Sequence, residues 1–170
     1  MDSIVLIGYM GCGKSSVAAA LAKLSGLPVL DADETIAARM GMSITSIFEK
    51  YGEERFRSEE TALLNRLCDG AYSGILSAGG GMPLREENRR LMKKLGKVVW
   101  LTASPATIAE RLKNDHSRPL LSGAATAEEK EARIRDMLRK REGSYAAAAD
   151  LALATDELSI SAIAEHILKA

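Results

Sequence analysis

Short apolar runs punctuate the chain at intervals, and between them the apolar positions recur with helical spacing. Alternation of this kind predicts strand and helix repeats, with a parallel sheet covered on both faces and strands that read as near-continuous hydrophobic runs. Five runs qualify as strands: Ser3–Ile7, Pro28–Leu30, Gly74–Ser77, Lys97–Leu101 and Leu151–Ala154. Helical stretches begin near Lys14, Thr35, Ser43, Glu53, Arg85, Ser104 and Glu128, and a last one runs from Ser159. The segment 114–127, NDHSRPLLSGAATA, lacks periodicity and carries Pro119 and Gly123. That makes it a long loop, of a size that usually serves as a lid or stays disordered. No repeat, low-complexity tract or Pro/Gly linker divides the 170 residues, so one domain, 1–170, is expected.

Charge narrows the partners. The 23 basic and 23 acidic side chains cancel, so no overall field recruits nucleic acid or an anionic membrane, and any bound anion must be held by local geometry. No apolar segment approaches the roughly 20 residues that span a bilayer, and the N-terminus lacks the pattern of a secretory signal. A cytoplasmic protein is expected. Cys12 and Cys68 fit no metal-ligand spacing and would remain thiols in a reducing compartment.

Local geometry for an anion is visible at once in GYMGCGKSS, Gly8–Ser16. Gly8, Gly13, Lys14 and Ser15 satisfy G-x-x-x-x-G-K-[ST], directly after a strand and directly before a helix, which is the context the motif requires. Glycines let successive N–H groups turn toward an anion, and the helix adds its positive end. Lys14 would reach the terminal phosphates and Ser15 would bind Mg2+. No glycine follows at the spacing of a dinucleotide fingerprint, so a nucleoside triphosphate is favoured over NAD.

The acceptor must be sought beyond the carboxyl ends of the other strands. After the second strand, Asp31 and Asp33 would point to the same side if the segment stays extended. Asp31 would hold the Mg2+ shell and Asp33 would take the hydrogen of an attacking hydroxyl, unless Asp33 merely caps the following helix. After the third strand, SAGGGMP places Gly79, Gly80 and Gly81 in a row, which permits a close approach to the backbone or forms an ordinary turn. Arg57 and Glu60 are three apart on a predicted helix, so the carboxylate would fix the guanidinium fork for a planar carboxylate ligand. Arg141 and Tyr145 are four apart and again share a face. Arg118, in the lid segment, would swing over the transferring phosphate, although arginines on charged surfaces are more often solvated.

Taken as a set, GYMGCGKSS, DAD at Asp31–Asp33, FRSEE at Phe56–Glu60, LSAGGGMP at Leu76–Pro83, RPLL at Arg118–Leu121 and KREGSY at Lys140–Tyr145 resemble the shikimate kinase family. The motifs follow the family's order from Ile4 to about Leu168. The resemblance implies a phosphate-loop, nucleoside-monophosphate-kinase-like α/β fold, three layers deep, with five parallel strands in the order 2-3-1-4-5 and a lid. It implies transfer of the γ-phosphate of ATP to the 3-hydroxyl of shikimate, in the route to aromatic amino acids, with Mg2+ and by a monomer. Carried over by position, the segment of about 33–60 belongs to the shikimate-binding region. Asp33, Arg57, Gly80 and Arg141 would contact shikimate, with Gly79 and Gly81 shaping the pocket. Gly11, Cys12, Gly13, Lys14, Ser15 and Ser16 would hold the nucleotide phosphates, and Ser15 with Asp31 the metal. Lys14, Asp33 and Arg118 would be catalytic, and Arg111 would pack near adenine.

Two places depart from the family pattern. ATDELSIS, Ala154–Ser161, lacks the proline that often lines the adenine pocket, and Cys12 stands where alanine or serine is usual. Gluconate and nucleoside monophosphate kinases would share the first loop and the lid, and a nucleotide-dependent switch would share the loop. The triple glycine with Arg57 and Arg141 favours a compact carboxylated acceptor, and no N-K-x-D guanine signature supports a switch.

Overall fold

The computed structural model describes residues 3–113 and 126–170. Along these, strand β1 (Ser3–Ile7) leads into helix α1 (Lys14–Ser25), then β2 (Val29–Asp31), α2 (Ala32–Met40), α3 (Ile44–Tyr51) and α4 (Glu53–Asp69). There follow β3 (Ile75–Ser77), a 3-10 turn at Met82–Leu84, α5 (Glu86–Leu95), β4 (Gly96–Thr102), α6 (Pro105–Leu112), α7 (Ala127–Ala148), β5 (Leu151–Ala154) and α8 (Ile160–Lys169).

The strands form one parallel sheet in the order β2-β3-β1-β4-β5, the order expected from the family resemblance. Every residue of β1 is buried, because helices cover both faces of the sheet. Alternate side chains sort to the two sides. Val5, Ile7, Leu76 and Val98 pack with Phe56, Leu64, Met92 and Tyr145 from α4, α5 and α7. Ile4, Leu6, Val99 and Leu101 pack with Val17, Leu21, Ile163 and Ile167 from α1 and α8. A smaller cluster joins Tyr9 to Ile108 and Leu112 of α6 and Ile134 of α7, so this helix pair packs over the start of the phosphate loop.

Register brings the carboxyl ends of the strands level. Leu6 pairs with Ser77, and Ser77 with Asp31, so the chain leaves β1, β2 and β3 along one edge. Serine and threonine caps fix where helices begin: Ser43, Ser104, Thr126 and Ser159 each accept a backbone N–H from the first turn of α3, α6, α7 and α8. The boundary between β2 and α2 differs from expectation. The strand runs to Asp31 and the helix starts at Ala32 rather than near Thr35, because Asp31 Oδ1 accepts the Glu34 N–H at 3.0 Å. Asp31, not Asp33, is the cap. No helix among the described residues is long and apolar enough to cross a membrane.

Candidate active site

At the edge where β1 ends, the backbone turns through three glycines with positive φ, Gly8 at 148°, Gly11 at 77° and Gly13 at 96°. Gly8 also has no room for a side chain, since a Cβ there would lie 2.5 Å from the Leu101 carbonyl oxygen and 2.7 Å from Cys12 Sγ. The loop ends at α1, whose first turn has no side-chain cap. The N–H groups of that turn therefore face the loop's concavity with the helix dipole behind them. Lys14 folds back over the loop and donates to the carbonyls of Gly8 at 2.6 Å and Tyr9 at 3.1 Å. This holds its ammonium at the mouth of the cleft that the loop lines.

That cleft has a volume of about 310 Å³. It is lined on one side by Gly11, Gly13, Lys14, Ser15 and Ser16 and on the other by Arg57, Gly79, Gly80, Gly81 and Arg141, with Asp31 and Asp33 between them. The aspartates reach it differently from the extended arrangement expected: Asp31 ends a strand, whereas Asp33 stands in the first turn of α2. Asp33 Oδ1 lies 2.6 Å from where a Cβ on Gly79 would be, so the missing side chain at Gly79 makes the space that the carboxylate occupies.

Arg57 is held as a fork. Its guanidinium donates to Glu60 Oε2 at 3.0 Å, three residues on, and to Glu53 Oε1 at 3.1 Å, four residues back along α4. Burial works against the charge of Arg57, but Glu60 and Glu53 more than offset it and raise its pKa above the ordinary value. Glu60 is fully buried, and its Oε1 has no hydrogen-bond partner among the described residues. Burial pushes its pKa up to about 7; Arg57 opposes the rise and the charge of Asp33 adds to it. Gly81 stands directly against the Arg57 guanidinium, where any Cβ would collide with it.

The opposite wall comes from α7. Arg141 and Tyr145 are buried on one face of the helix, and Tyr145 donates to the Gly80 carbonyl at 2.7 Å. Burial pushes the Tyr145 phenol up to about 12 against the pull of Arg141, with which it is hydrogen bonded, so it stays protonated and keeps donating. Arg141 also lies over the Tyr9 ring, 5.8 Å from its centroid. Ile44, Phe48 and Phe56 add an apolar flank, the two rings 5.0 Å apart. These apolar residues escaped the sequence reading because helix-spaced aromatics are ordinarily core. Glu53, four residues before Arg57, was legible from the same i, i+4 spacing that gives helix ion pairs.

Two expected site residues, Cys12 and Arg111, stand apart from the cleft. The Cys12 side chain points into the core, where it is 1% exposed, so reagents in solvent do not meet its thiol. Arg111 lies behind the loop and donates to the Gly11 carbonyl at 3.0 Å and to Thr155. Arg118 lies outside the described residues. Ser15 and Asp31 both line the cleft and offer oxygens only, a donor set suited to Mg2+, which keeps much of its shell as water and phosphate and takes few protein ligands.

A five-stranded parallel sheet in this order, a phosphate loop on its central strand and a polar cleft beside that loop define a phosphate-loop kinase of the nucleoside-monophosphate-kinase-like class. Comparison with known proteins specifies the family. Residues 10–170 match the family model for shikimate kinase. The chain is 41% identical over 169 residues to a shikimate kinase of Thermodesulfovibrio yellowstonii, covering 99% of this chain and 94% of that protein. It is 42% identical over 166 residues to one of Geobacter sulfurreducens, covering 97% and 88%. Among solved structures, a shikimate kinase from Acinetobacter baumannii in complex with shikimate superposes with a TM-score of 0.89 at 35% identity, over 99% of this chain and 92% of that one. A gluconokinase from Sinorhizobium meliloti, at 21% identity and a TM-score of 0.59, shares the fold. The chain belongs to the shikimate kinase family and is a kinase.

Proposed function

We propose that the protein transfers the γ-phosphate of ATP to the 3-hydroxyl of shikimate, giving shikimate 3-phosphate and ADP. The observation that carries this reading is the single cleft in which a phosphate loop and a pocket walled by Arg57 and Arg141 share one continuous volume. Two guanidinium groups suit a carboxylate, the apolar flank of Ile44, Phe48 and Phe56 suits a carbocycle, and Asp33 suits a hydroxyl. The 41% identical relative named shikimate kinase supports the choice of acceptor.

In this reading the loop amides and Lys14 hold the β- and γ-phosphates, while Arg57 and Arg141 pin the acceptor carboxylate and so aim one hydroxyl at the γ-phosphorus. Ser15 and Asp31 would hold Mg2+, which when bound neutralises charge on the phosphates. Asp33 accepts the hydroxyl hydrogen as the oxygen bonds to phosphorus and the bond to the bridging oxygen of ADP breaks; the proton then passes to solvent. Positioning and charge neutralisation supply most of the rate in such a transfer, and no covalent enzyme intermediate is needed.

A coupled assay of ADP release against shikimate, quinate, gluconate and nucleoside monophosphates tests the reading. Shikimate is expected to give the highest kcat/KM, and a preference for gluconate or a nucleotide overturns it. Replacing Asp33 by Asn is expected to lower kcat by about 10²-fold or more with shikimate. Turnover within a few-fold of the unaltered enzyme removes Asp33 from that role.

A further inference from the structure

Against the phosphate loop but outside the lining of the cleft, one buried hydroxyl joins four segments of the chain. Thr155 follows β5 and is 5% exposed. Its Oγ1 lies 3.0 Å from the Cys12 carbonyl and 3.1 Å from the Thr102 carbonyl, between which its one hydrogen is shared, and it accepts from Arg111 at 3.1 Å. Its own carbonyl accepts a second bond from Arg111 at 3.0 Å, and its N–H donates to Thr102 at 2.8 Å. Arg111, so fixed, also donates to the Gly11 carbonyl at 3.0 Å. Two consecutive carbonyls of the phosphate loop are thus taken up by a single unit of Thr155 and Arg111.

The adjacent residue anchors that unit. Asp156 Oδ1 accepts the Ser104 N–H at 2.9 Å, and bonds from the Thr107 hydroxyl and the Ser104 amide hold its pKa below the ordinary carboxylate value. The segment after β5 is therefore tied to the first turn of α6 by Asp156 and to the last turn by Thr155 through Arg111. Neither Thr155 nor Asp156 lines the cleft.

Peptide planarity gives this arrangement a consequence. In a trans peptide the carbonyl and the next N–H point opposite ways, so fixing the Cys12 carbonyl also fixes the direction of the Gly13 N–H, and Gly13 lines the cleft. Gly11 and Gly13, both at positive φ, belong to the residue type with the most backbone freedom to lose, and a loop rich in them has no stiffness of its own. We propose that Thr155 is a positioning residue that presets the phosphate loop for its nucleotide, by holding the Cys12 carbonyl and the Arg111 guanidinium from behind without touching the nucleotide itself. The proposal rests on the reading of the loop as a nucleotide site, and it predicts an effect on the nucleotide half of the cleft only. Preorganisation of this kind raises affinity by removing the ordering cost from the binding step.

The test compares Thr155→Val, which keeps the shape and removes the hydroxyl, with Thr155→Ser, which keeps the hydroxyl. Valine is expected to raise the Kd for ADP and the KM for ATP about tenfold, to leave the KM for shikimate within twofold, and serine is expected to restore both nucleotide values. Hydrogen exchange on the nucleotide-free protein should show the Cys12 amide, which donates to the Tyr9 carbonyl at 3.2 Å within the loop, protected in the unaltered chain and faster in the valine variant. Unchanged nucleotide affinity in the valine variant overturns the proposal, as does a loss spread equally over nucleotide and acceptor with no rescue by serine. If valine does not fold, rapid exchange of the Cys12 amide in the unaltered nucleotide-free protein overturns it by itself. Failure of the unaltered protein to bind ADP, in contrast, rejects the nucleotide reading of the loop.

Discussion

Glu60 is a carboxylate enclosed beside a guanidinium and near a second carboxylate, and burial outweighs the guanidinium. Its pKa rises from 4.5 to about 7, so between those values the folded chain holds a proton that the unfolded chain has lost. Stability from this residue is therefore complete below about 4.5 and drains away as pH rises through about 7. We expect the melting temperature of the nucleotide-free protein, relative to Glu60→Gln, to fall as pH is raised from about 5 to about 8. A difference that does not vary with pH shows Glu60 ionised throughout. At this scale the sequence was informative wherever partners share a helix. The pairs Arg57 with Glu60 and Arg141 with Tyr145 follow from spacings of three and four, and both form. Thr155 was invisible, because its partners Arg111, Thr102 and Cys12 lie 44, 53 and 143 residues away.

The elements declare themselves in proportion to how one-sided their environments are. Strand β1 reads as an unbroken apolar run because both of its faces are buried, and α8 as an amphipathic segment because it buries one. The start of α2 was misplaced because DAD offers two possible caps, and only the geometry of the first turn decides between them. Asp33 thereby moves from an extended segment to a helix, yet it still reaches the cleft, since the turn from β2 into α2 lies along the same sheet edge. The junction of β1 with the phosphate loop is the least forgiving of these transitions. Gly8→Ala forces a Cβ against the Leu101 carbonyl oxygen, which belongs to the neighbouring strand and has little freedom to retreat. We expect a loss of about 2 kcal/mol or more in chemical denaturation. A loss below about 0.5 kcal/mol shows that the two strands separate there more readily than their packing implies.

For the molecule as a whole, strand order was not readable from periodicity, which says that strands alternate with helices but not which strands are neighbours; it came with the family resemblance. The position of the cleft then follows from topology, because successive connections leave the carboxyl edge of the sheet on both sides of β1. The two ligand regions draw on distant parts of the sequence, from Gly11 to Arg141, and binding should stabilise the entire fold by mass action. ADP at about 100 times its Kd is expected to add about 2.7 kcal/mol, or about 5 to 11 °C in melting temperature for a chain of this size. An unmoved transition at that concentration means that the loop does not bind ADP.

The triple glycine after β3 has a meaning for inhibition. Gly79, Gly80 and Gly81 are each backed by a side chain of the cleft, Asp33 and Glu60, Arg141, and Arg57 in turn, so an added side chain presses on the charged groups that wall it. A compound shaped to that floor would be hard to exclude by mutation, since altering the floor also displaces the Asp33, Arg57 and Arg141 side chains that shape the cleft.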